Sequence, residues 1–306
     1  MRIGIYIRLY GRPAAETPAP TWASIRDQAL AAEAAGFDLV VLEDALWMPD
    51  DDGNFGLWES VSVAAALAAA TSTIGIGHAV INSPYRNPAL VAKIAATLDE
   101  VSGGRYTLGI GLGNTPDDYG PFGVAADRRY SRFAEAIRII SDLLREGRSE
   151  FEGEFYRAPG AEMILRGPRP EGPPIVVAGA KPKMLRLAAR YGDGWNWWTG
   201  EPDDPDSLRP IVDELERACE EVDRDPATLV RSLDVFSVAA PAGGDGGSAP
   251  GDGVLGGPAE AVAERLLAFR ELGIDEVRCN LRFPLGAATP EAIAGLAGVV
   301  DLVRAG

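Results

Sequence analysis

The most informative segment of the sequence is Pro173-Pro-Ile-Val-Val-Ala-Gly-Ala-Lys-Pro-Lys-Met-Leu185. Its β-branched residues 175–177 lie between prolines and Gly179, which predicts a short buried strand. Pro182 suits the first position of a helix, because the N–H that it lacks would have no intrahelical partner there. Residues 178–181 then form a tight strand-to-helix turn, whose free N–H groups and helix dipole attract an anion. An ordinary loop with solvated lysines explains these residues equally well.

The rest of the chain repeats this strand-then-helix unit. Further strands are predicted near residues 3–7, 37–42, 74–81, 105–111, 195–198, 232–239 and 276–281. Helical spacing of apolar residues follows each strand, at about residues 22–35, 59–70, 91–102, 133–144, 182–191, 211–222, 262–272 and 293–303. Eight such units predict an α/β fold, a (β/α)8 TIM barrel that forms one domain over residues 1–306. A doubly wound sheet is the alternative, but it needs a topological switch and usually has fewer units.

The segment between the fourth helix and the fifth strand is longer than a simple connection requires. Residues 151–156 predict a small hairpin, and the proline-rich residues 166–174 predict a stiff extended connector. Together they predict an insertion between helix 4 and strand 5. Residues 241–257 contain eight glycines and predict a mobile loop, either a cover for the substrate or a simple linker.

Composition excludes several classes of function. A net charge of −16 and a pI near 4.6 argue against a nucleic-acid partner. Cys219 and Cys279 are far apart and have no partners at metal-ligand spacing, so neither a disulfide framework nor a zinc site is predicted. His78, the only histidine, is predicted to be structural. The start of the chain resembles a strand rather than a signal peptide, and the most apolar helix is too short for a bilayer. We therefore expect a cytoplasmic protein with no membrane partner.

In a barrel of this kind the functional residues follow the carboxyl ends of the strands. Glu43 and Asp44 lie directly after the second strand and are candidate carboxylates at the mouth, whereas residues 50–52 predict a solvated acidic loop. The glycines of residues 108–113 resemble a dinucleotide fingerprint, but no helix start follows them, so that motif is rejected. Their glycines are predicted instead to let a ligand lie close to the strand end.

Several motifs resemble those of the luciferase-like monooxygenase family. The run from Ile74 to Gly113 resembles the family signature, and Arg166-Gly-Pro-Arg-Pro170 with residues 175–179 and 184–196 resembles its actinobacterial flavin- or F420-dependent branch. Residues 256–266 fit the last repeat, so that the likeness covers nearly the whole chain.

The resemblance implies a cofactor at the barrel mouth, either the deazaflavin F420 or FMN, with F420 preferred. It implies a phosphate-binding turn and a cis peptide between Ala79 and Val80 behind the cofactor ring. The implied cofactor-binding residues are Ala79, Val80, Asn114, Ala178, Gly179, Ala180, Lys181, Gly194 and Trp195.

Two departures from the family pattern affect the chemistry. Relatives place histidine after the second strand, where this chain has Glu43-Asp44-Ala45, and some place an acidic residue where this chain has Asn114. Asp44, with Glu43 beside it, is therefore the candidate catalytic acid or base.

The preferred function is an oxidoreductase that transfers a hydride between F420, or reduced flavin, and a small organic substrate. The alternatives are an FMN-dependent monooxygenase and a non-catalytic flavin- or F420-binding protein. The missing histidine favours the non-catalytic protein, whereas a predicted aromatic pocket of Trp47, Trp58 and Trp197 favours the enzyme. The family also implies a homodimer.

Overall fold

Eight parallel strands close into a barrel in the computed structural model, which describes residues 1–11, 18–48, 55–113, 119–199, 204–236, 238–239, 255–281 and 288–306. The barrel strands are β1 (Arg2–Tyr6), β2 (Leu39–Leu42), β3 (Gly75–His78), β4 (Tyr106–Gly111), β5 (Ile175–Ala178), β6 (Gly194–Thr199), β7 (Val230–Phe236) and β8 (Glu276–Asn280). Each strand pairs with the next along the chain, and β8 pairs with β1, with Ile3 opposite Val277. The predicted (β/α)8 barrel is confirmed.

Helices surround this barrel. They are α1 (Trp22–Ala34), α2 (Ser60–Ala70), α3 (Pro88–Ser102), α4 (Arg129–Arg145), α5 (Pro182–Tyr191), α6 (Arg209–Glu220), α7 (Ala259–Ala268), α8 (Pro290–Ala294) and α9 (Ala297–Ala305). The single closing helix that the apolar spacing predicts is wrong, because a turn at Gly295 and Leu296 separates two short helices. Pro182 occupies the first turn of α5, as predicted.

Alternation along the strands separates two environments. In β2, Val40 and Leu42 belong to the large apolar core between the barrel and the helices, whereas Leu39 and Val41 pack with Tyr6 inside the barrel. Because side chains alternate along a strand, every second residue of each barrel strand faces the interior. The interior residues nearest the carboxyl ends therefore line the mouth.

Three aspartates fasten the opposite, amino end of the barrel. Asp38, Asp193 and Asp275 each precede a strand, and each carboxylate accepts the backbone N–H of a residue in the neighbouring strand: Ile3 at 2.9 Å, Ile175 at 2.7 Å and Arg231 at 2.8 Å, respectively. These bonds satisfy N–H groups at the end of the ladder, on the side where the neighbouring strand has not yet begun. This end of the barrel is therefore built for stability.

Short antiparallel strands lie in the loops that connect the barrel strands to the helices. Tyr10–Gly11, Phe55–Leu57 and Trp47–Met48 form one small sheet near the mouth. Between α4 and β5, Arg148–Ser149 pairs with Ala161–Glu162, and a tight turn lies between them. The predicted extended connector at residues 166–174 is wrong, because a turn closed by a hydrogen bond from Gly172 N–H to the Arg169 carbonyl interrupts it. Within the described ranges, no helix is long and apolar enough to cross a membrane.

Candidate active site

The floor of the barrel mouth is formed where β3, β4 and β5 end. The peptide between Ala79 and Val80 is cis, as predicted. A Cβ placed on Gly111 would lie 3.0 Å from a methyl of Val80 and 3.6 Å from Cβ of Ala178. Three segments distant in sequence therefore adjoin, and they bring together predicted site residues of two motifs.

The glycines of β4 serve a different purpose from the predicted one. A Cβ on Gly109 would lie only 1.9 Å from the carbonyl oxygen of His78, and one on Gly111 would crowd Val80. The space at these glycines is thus filled by the chain segment that contains the cis peptide. They accommodate that segment rather than the ligand directly.

The turn between β5 and α5 has a geometry that requires glycine. Gly179 has φ of +144°, and a Cβ there would lie 2.8 Å from Cβ of Met184. Its N–H donates to the Asn196 carbonyl at 3.2 Å, and its carbonyl accepts from Nε1 of Trp195 at 2.8 Å. The turn is therefore held from β6 on both sides.

The amides that follow Gly179 are free to bind an anion. Among the described residues, no acceptor is paired with the N–H groups of Ala180, Lys181 or Lys183. These groups lie at the start of α5, where the dipole of a ten-residue helix favours negative charge. The predicted anion site thus keeps three donors, while the Gly179 N–H is engaged elsewhere.

Two of the three lysines of the sequence flank this helix start. The side chains of Lys181 and Lys183 are exposed, and Nζ of Lys183 lies 5.2 Å from the ring centre of Tyr130. They give a positive local field on a molecule whose net charge is −16.

Gly194 and Trp195 are buried and lie behind the turn. The indole of Trp195 fixes the Gly179 carbonyl, as described above, and so supports the turn without being exposed to the mouth. Gly194 is the first residue of β6, opposite Val176, and a Cβ there would lie 2.9 Å from the Val230 carbonyl. The direct cofactor contacts predicted for these two residues stay predictions.

Asp44 lies at the edge of the mouth, but its carboxylate is saturated with hydrogen bonds. It accepts from Oγ of Ser60 at 2.7 Å, from the Asn82 N–H at 2.8 Å, and from both terminal nitrogens of Arg86 at 2.6 and 3.0 Å. The Asp44 side chain is 4% exposed and that of Arg86 is 13% exposed. Such a bidentate pair is a strong, geometrically specific contact.

Arg86 extends this contact into a network around the mouth. It also donates to Oε1 of Glu59 at 2.7 Å, and Glu59 caps the first amides of α2. Burial alone lowers the pKa of Arg86, but its hydrogen bonds to Asp44 and Glu59 outweigh burial and raise it. Asn82 joins the network from the other side, because its Oδ1 accepts from the Tyr119 hydroxyl at 2.9 Å. Hydrogen bonds from both sides therefore hold the segment that follows the cis peptide. The spacing of residues in the sequence does not indicate that Arg86 and Tyr119 belong to this network.

A second polar group, also missed from the sequence, fills the barrel below the mouth. Its members face inward from four strands and are nearly fully buried: Tyr6, Asn196, Ser232, Asp234, Glu276 and Arg278. Arg278 Nε donates to Glu276 at 2.7 Å, while Nη1 of Arg278 is 3.7 Å from Oδ1 of Asp234. The alternation of polar with apolar residues in Ser232-Leu-Asp-Val-Phe236 and Glu276-Val-Arg-Cys-Asn280 is the signal that could have revealed this group.

Asp234 is a buried carboxyl group of altered acidity. Burial raises its pKa to about 6, and the charge of Arg278 only partly opposes this. Burial also raises the pKa of Tyr6 above its ordinary value, and the charges of Asp234 and of the half-buried Glu43 raise it further. Perturbed carboxyl groups of this kind concentrate at functional sites.

Aromatic rings line the mouth beside Tyr6. The ring centres of Tyr6 and Phe236 are 5.9 Å apart, and Phe236 is 5.9 Å from Trp198, which is 48% exposed. These are not the predicted tryptophans. Trp58 donates to the Pro20 carbonyl at 2.7 Å, and Trp197 packs on the core outside the barrel.

His78 is structural, as predicted. It faces the helix layer, with Nδ1 2.8 Å from the Tyr106 hydroxyl, and burial lowers its pKa to about 4. No cluster of three potential metal ligands occurs in the part of the chain that the structure describes. Asn114, the acidic residues 50–52 and nearly all of the glycine-rich loop at 241–257 lie outside the described residues.

The chain is similar to several known proteins, both in sequence and in fold. An uncharacterized protein of Mycobacterium tuberculosis is 36% identical over 228 residues, 69% of this chain and 77% of that protein. The F420-dependent glucose-6-phosphate dehydrogenase of Nakamurella multipartita is 32% identical over 224 residues, 71% of this chain and 64% of that protein. An F420-dependent secondary alcohol dehydrogenase, solved with an F420–acetone adduct, superposes with a TM-score of 0.78 at 19% identity and 99% coverage of both chains, which shows the shared fold.

The sequence relatives and the similar solved structures also include monooxygenases. The sequence profile of the luciferase-like monooxygenases matches residues 1–242, most of the chain. The named relatives are thus oxidoreductases that use F420 and monooxygenases. On the strength of the profile match and the barrel, the chain belongs to the luciferase-like monooxygenase family.

Proposed function

We propose that this chain is an oxidoreductase that transfers a hydride between F420 and a small organic substrate at the barrel mouth. The observation that carries the proposal is the turn after β5. Three amides without partners among the described residues begin a helix there, beside the floor formed by Val80, Gly111 and Ala178. A helix start with three available amides, next to an apolar floor, suits a cofactor with a phosphate and a planar ring.

Each part of the site has a role in binding F420. The amides of Ala180, Lys181 and Lys183 bind the phosphate, and Ala79 and Val80 support the ring. The glutamate tail beyond the phosphate meets the charge of the two lysines. When bound, F420 supplies a hydride carrier that reacts little with oxygen, so the chemistry is a transfer to substrate rather than oxygenation.

The aromatic rings beside the floor favour an apolar substrate. Tyr6, Phe236 and Trp198 form an edge of the mouth, and aromatic faces bind flat or apolar groups well. We therefore assign a small, largely apolar carbonyl or enone compound as the substrate class.

We assign Asp44 a positioning role instead of the acid–base role considered from the sequence. Its carboxylate accepts four hydrogen bonds, two of them from the Arg86 guanidinium. Both of its oxygens are engaged by these donors, so neither is left to contact a substrate. Its effect is to fix the backbone of residues 79–82 behind the cofactor ring. Glu43, half-buried and near Tyr6, stays a candidate catalytic residue.

An FMN-dependent monooxygenase is the second candidate. The same turn and floor also suit FMN, and the relatives include monooxygenases. F420 is favoured by the lysine pair, which matches an acidic tail that FMN lacks, and by relatives named for F420. A non-catalytic cofactor carrier is the third. Homodimer formation and a cytoplasmic location remain predictions.

The test is a pair of fluorescence titrations of the protein with F420 and with FMN. We expect micromolar F420 binding and weaker FMN binding. Lys181→Ala should weaken F420 binding about threefold to tenfold, because it removes one exposed charge near an anion. Gly179→Val should abolish binding, because valine cannot adopt this φ and its Cβ would clash with Met184.

Lys93 on α3 is the matched control, since it is the remaining lysine and is exposed. Lys93→Ala should bind F420 as the parent does. Reoxidation of reduced F420 by a panel of ketones and enones then separates an enzyme from a carrier. Micromolar FMN binding with none of F420 would reverse the cofactor assignment, and parent-like binding by Gly179→Val would move the site elsewhere.

A further inference from the structure

Resting on the proposed hydride transfer, we propose that Tyr6 delivers the proton that accompanies the hydride, and that Asp234 replaces it. Tyr6 is thus the catalytic proton donor, and Asp234 acts through it. Tyr6 is the last residue of β1, and Asp234 lies two residues before the end of β7. These two strands lie on either side of β8. The pair therefore lies directly below the mouth, where a substrate atom would rest.

The Tyr6 hydroxyl connects the interior with the floor of the mouth. It donates to the carbonyl of Ala79 at 3.4 Å, and the Asp234 carboxyl group is close enough for its charge to raise the pKa of the Tyr6 hydroxyl. A bond of 3.4 Å is long and weak. The hydroxyl proton can therefore be redirected to a ligand atom that lies over Ala79 and Val80.

Asp234 is held much less firmly than Asp44. Its Oδ1 completes no hydrogen bond among the described residues, and neither does Nη1 of Arg278, which is 3.7 Å away. Arg278 is instead bound through Nε to Glu276, which also pairs with Arg2 at 3.1 Å. The arginine is thus shared between two carboxylates and leaves Asp234 free to change protonation state.

The groups that face the pair account for its acidity. From β6, the Asn196 amide approaches Asp234 and is itself bound to Ser232 of β7 at 3.3 Å. Arg278 and Glu276 face it from β8, and Glu43 faces Tyr6 from the loop after β2. Burial raises the pKa of Asp234 to about 6, so near neutral pH a fraction of it carries a proton.

Protonated Asp234 sets the direction of the hydrogen bonds that run from Asp234 through Tyr6 to the mouth. A neutral carboxyl group has one O–H donor, which can be directed at the Tyr6 oxygen. Tyr6 then accepts from Asp234 and donates towards the mouth. Because burial keeps the phenol neutral, its proton moves only as the substrate oxygen gains charge.

The step balances for a carbonyl substrate. The carbonyl carbon gains the hydride and its electron pair, the C=O π pair moves to oxygen, and that oxygen takes the proton of Tyr6. The O–H bond of Asp234 breaks as Tyr6 is reprotonated, and Asp234 recovers a proton from water after product leaves. The reductant is the reduced deazaflavin of the proposed function.

The first experiment reads the pair without cofactor. The side-chain carboxyl carbon of Asp234, assigned with Asp234→Asn, is followed by NMR as a function of pH. We expect it to titrate near pH 6 and to shift in Tyr6→Phe. Titration near the ordinary value of an aspartate, unchanged in Tyr6→Phe, would overturn the proposal.

The second experiment measures reoxidation of reduced F420 by the ketone or enone that the parent reduces fastest. The parent rate should fall as pH rises above about 6, and Tyr6→Phe and Asp234→Asn should each be about 100-fold slower below pH 6, with a flattened profile. The double variant should be no slower than Tyr6→Phe, since both residues serve one proton. Asp99→Asn, a buried carboxylate bound to Arg169 away from the mouth, should keep the parent profile.

The outcomes separate this inference from the function on which it rests. If Tyr6→Phe and Asp234→Asn keep the parent rate and the parent pH profile, neither residue takes part in proton transfer. The proposed hydride transfer would then still stand. A parent that binds no F420, or that reduces no acceptor, would overturn the proposed function and this step with it. If Asp234→Asn fails to fold, the pH profile of Tyr6→Phe decides: a flattened profile supports the pair, and the parent profile counts against it.

Discussion

Two aspartates near the mouth show how contacts decide what one residue type does. Asp44 accepts hydrogen bonds from the Arg86 guanidinium, a hydroxyl and a backbone amide, so it holds the backbone of the neighbouring segment in place. Oδ1 of Asp234 completes no hydrogen bond within the described part of the chain, and it lies 3.7 Å from an arginine that binds another carboxylate more closely. Burial then governs its pKa, which rises to about 6.

We predict that Asp44→Asn lowers the free energy of unfolding by about 3 kcal/mol, because it leaves the buried charge of Arg86 with one weaker partner. Cofactor affinity should fall as well, since residues 79–82 lose their clamp. Denaturant unfolding and the F420 titration measure the two effects. The exposed pair of Arg157 and Glu152 is the control, and Glu152→Gln should change stability by less than about 1 kcal/mol. An equally small loss for Asp44→Asn would show that the clamp contributes nothing.

The limits of prediction are clearest for these residues. The sequence places Asp44 correctly at a strand end, because strand order fixes that position. Its partner Arg86 is 42 residues away, in a loop whose path depends on the folded barrel. Asp234 was detectable in principle, as a charged residue on the inward side of a predicted strand. Its position within a strand sets it apart from the strand-end residues on which the predicted site rests.

Among the strands and helices, the alternation of strand-like and helix-like apolar patterns is sufficient to predict the barrel. Strand and helix periods differ, and eight repeats leave few other arrangements. The break between α8 and α9 was missed because the apolar spacing continues through Gly295 with only a local change of backbone. The bonds at the amino end were also missed, since they join an aspartate to a strand that precedes it by many residues.

The amino-end aspartates give a prediction for a whole strand. Asp38→Ala should lower the free energy of unfolding by about 1–3 kcal/mol, because the N–H of Ile3 loses its acceptor at the end of β1. Asp38→Asn keeps an acceptor oxygen and should cost less. F420 binding should be unchanged in both, since the mouth is at the opposite end. Weakened F420 binding by Asp38→Ala, with stability unaltered, would contradict this division between a stabilising end and a functional end.

For the whole molecule, convergence of the site was partly predictable. The residue pattern predicts the turn at residues 178–183, the family resemblance implies the cis peptide, and the barrel geometry brings the two together. What the sequence does not contain is the balance of buried charge, because it depends on pairs such as Arg278 with Glu276 that form only when the barrel closes. The acid–base group therefore depends on the closed barrel, whereas the residues proposed to bind the cofactor follow from local motifs.

That buried charge also shapes how stability depends on pH. His78 is the only histidine, and burial lowers its pKa from 6.5 to about 4. Its contribution to stability is therefore fully present above pH 6.5 and is lost as pH falls through 4. Asp234 acts in the opposite sense, because its pKa is raised from 3.8 to about 6, so its contribution is lost as pH rises through 6. The two contributions offset each other in the parent between about pH 4 and 6.

Removing the histidine should expose this compensation. Relative to the parent, His78→Asn should gain stability as pH falls from 7 to 4, by as much as about 3 kcal/mol, because the parent alone must bury a group that binds a proton when unfolded. Urea unfolding at several pH values measures the difference. Tyr106→Phe is the control, since it removes the same 2.8 Å contact without removing the titrating ring, and its cost should not vary over this range. A His78→Asn difference that stays constant with pH would mean that the ring is not held neutral by burial.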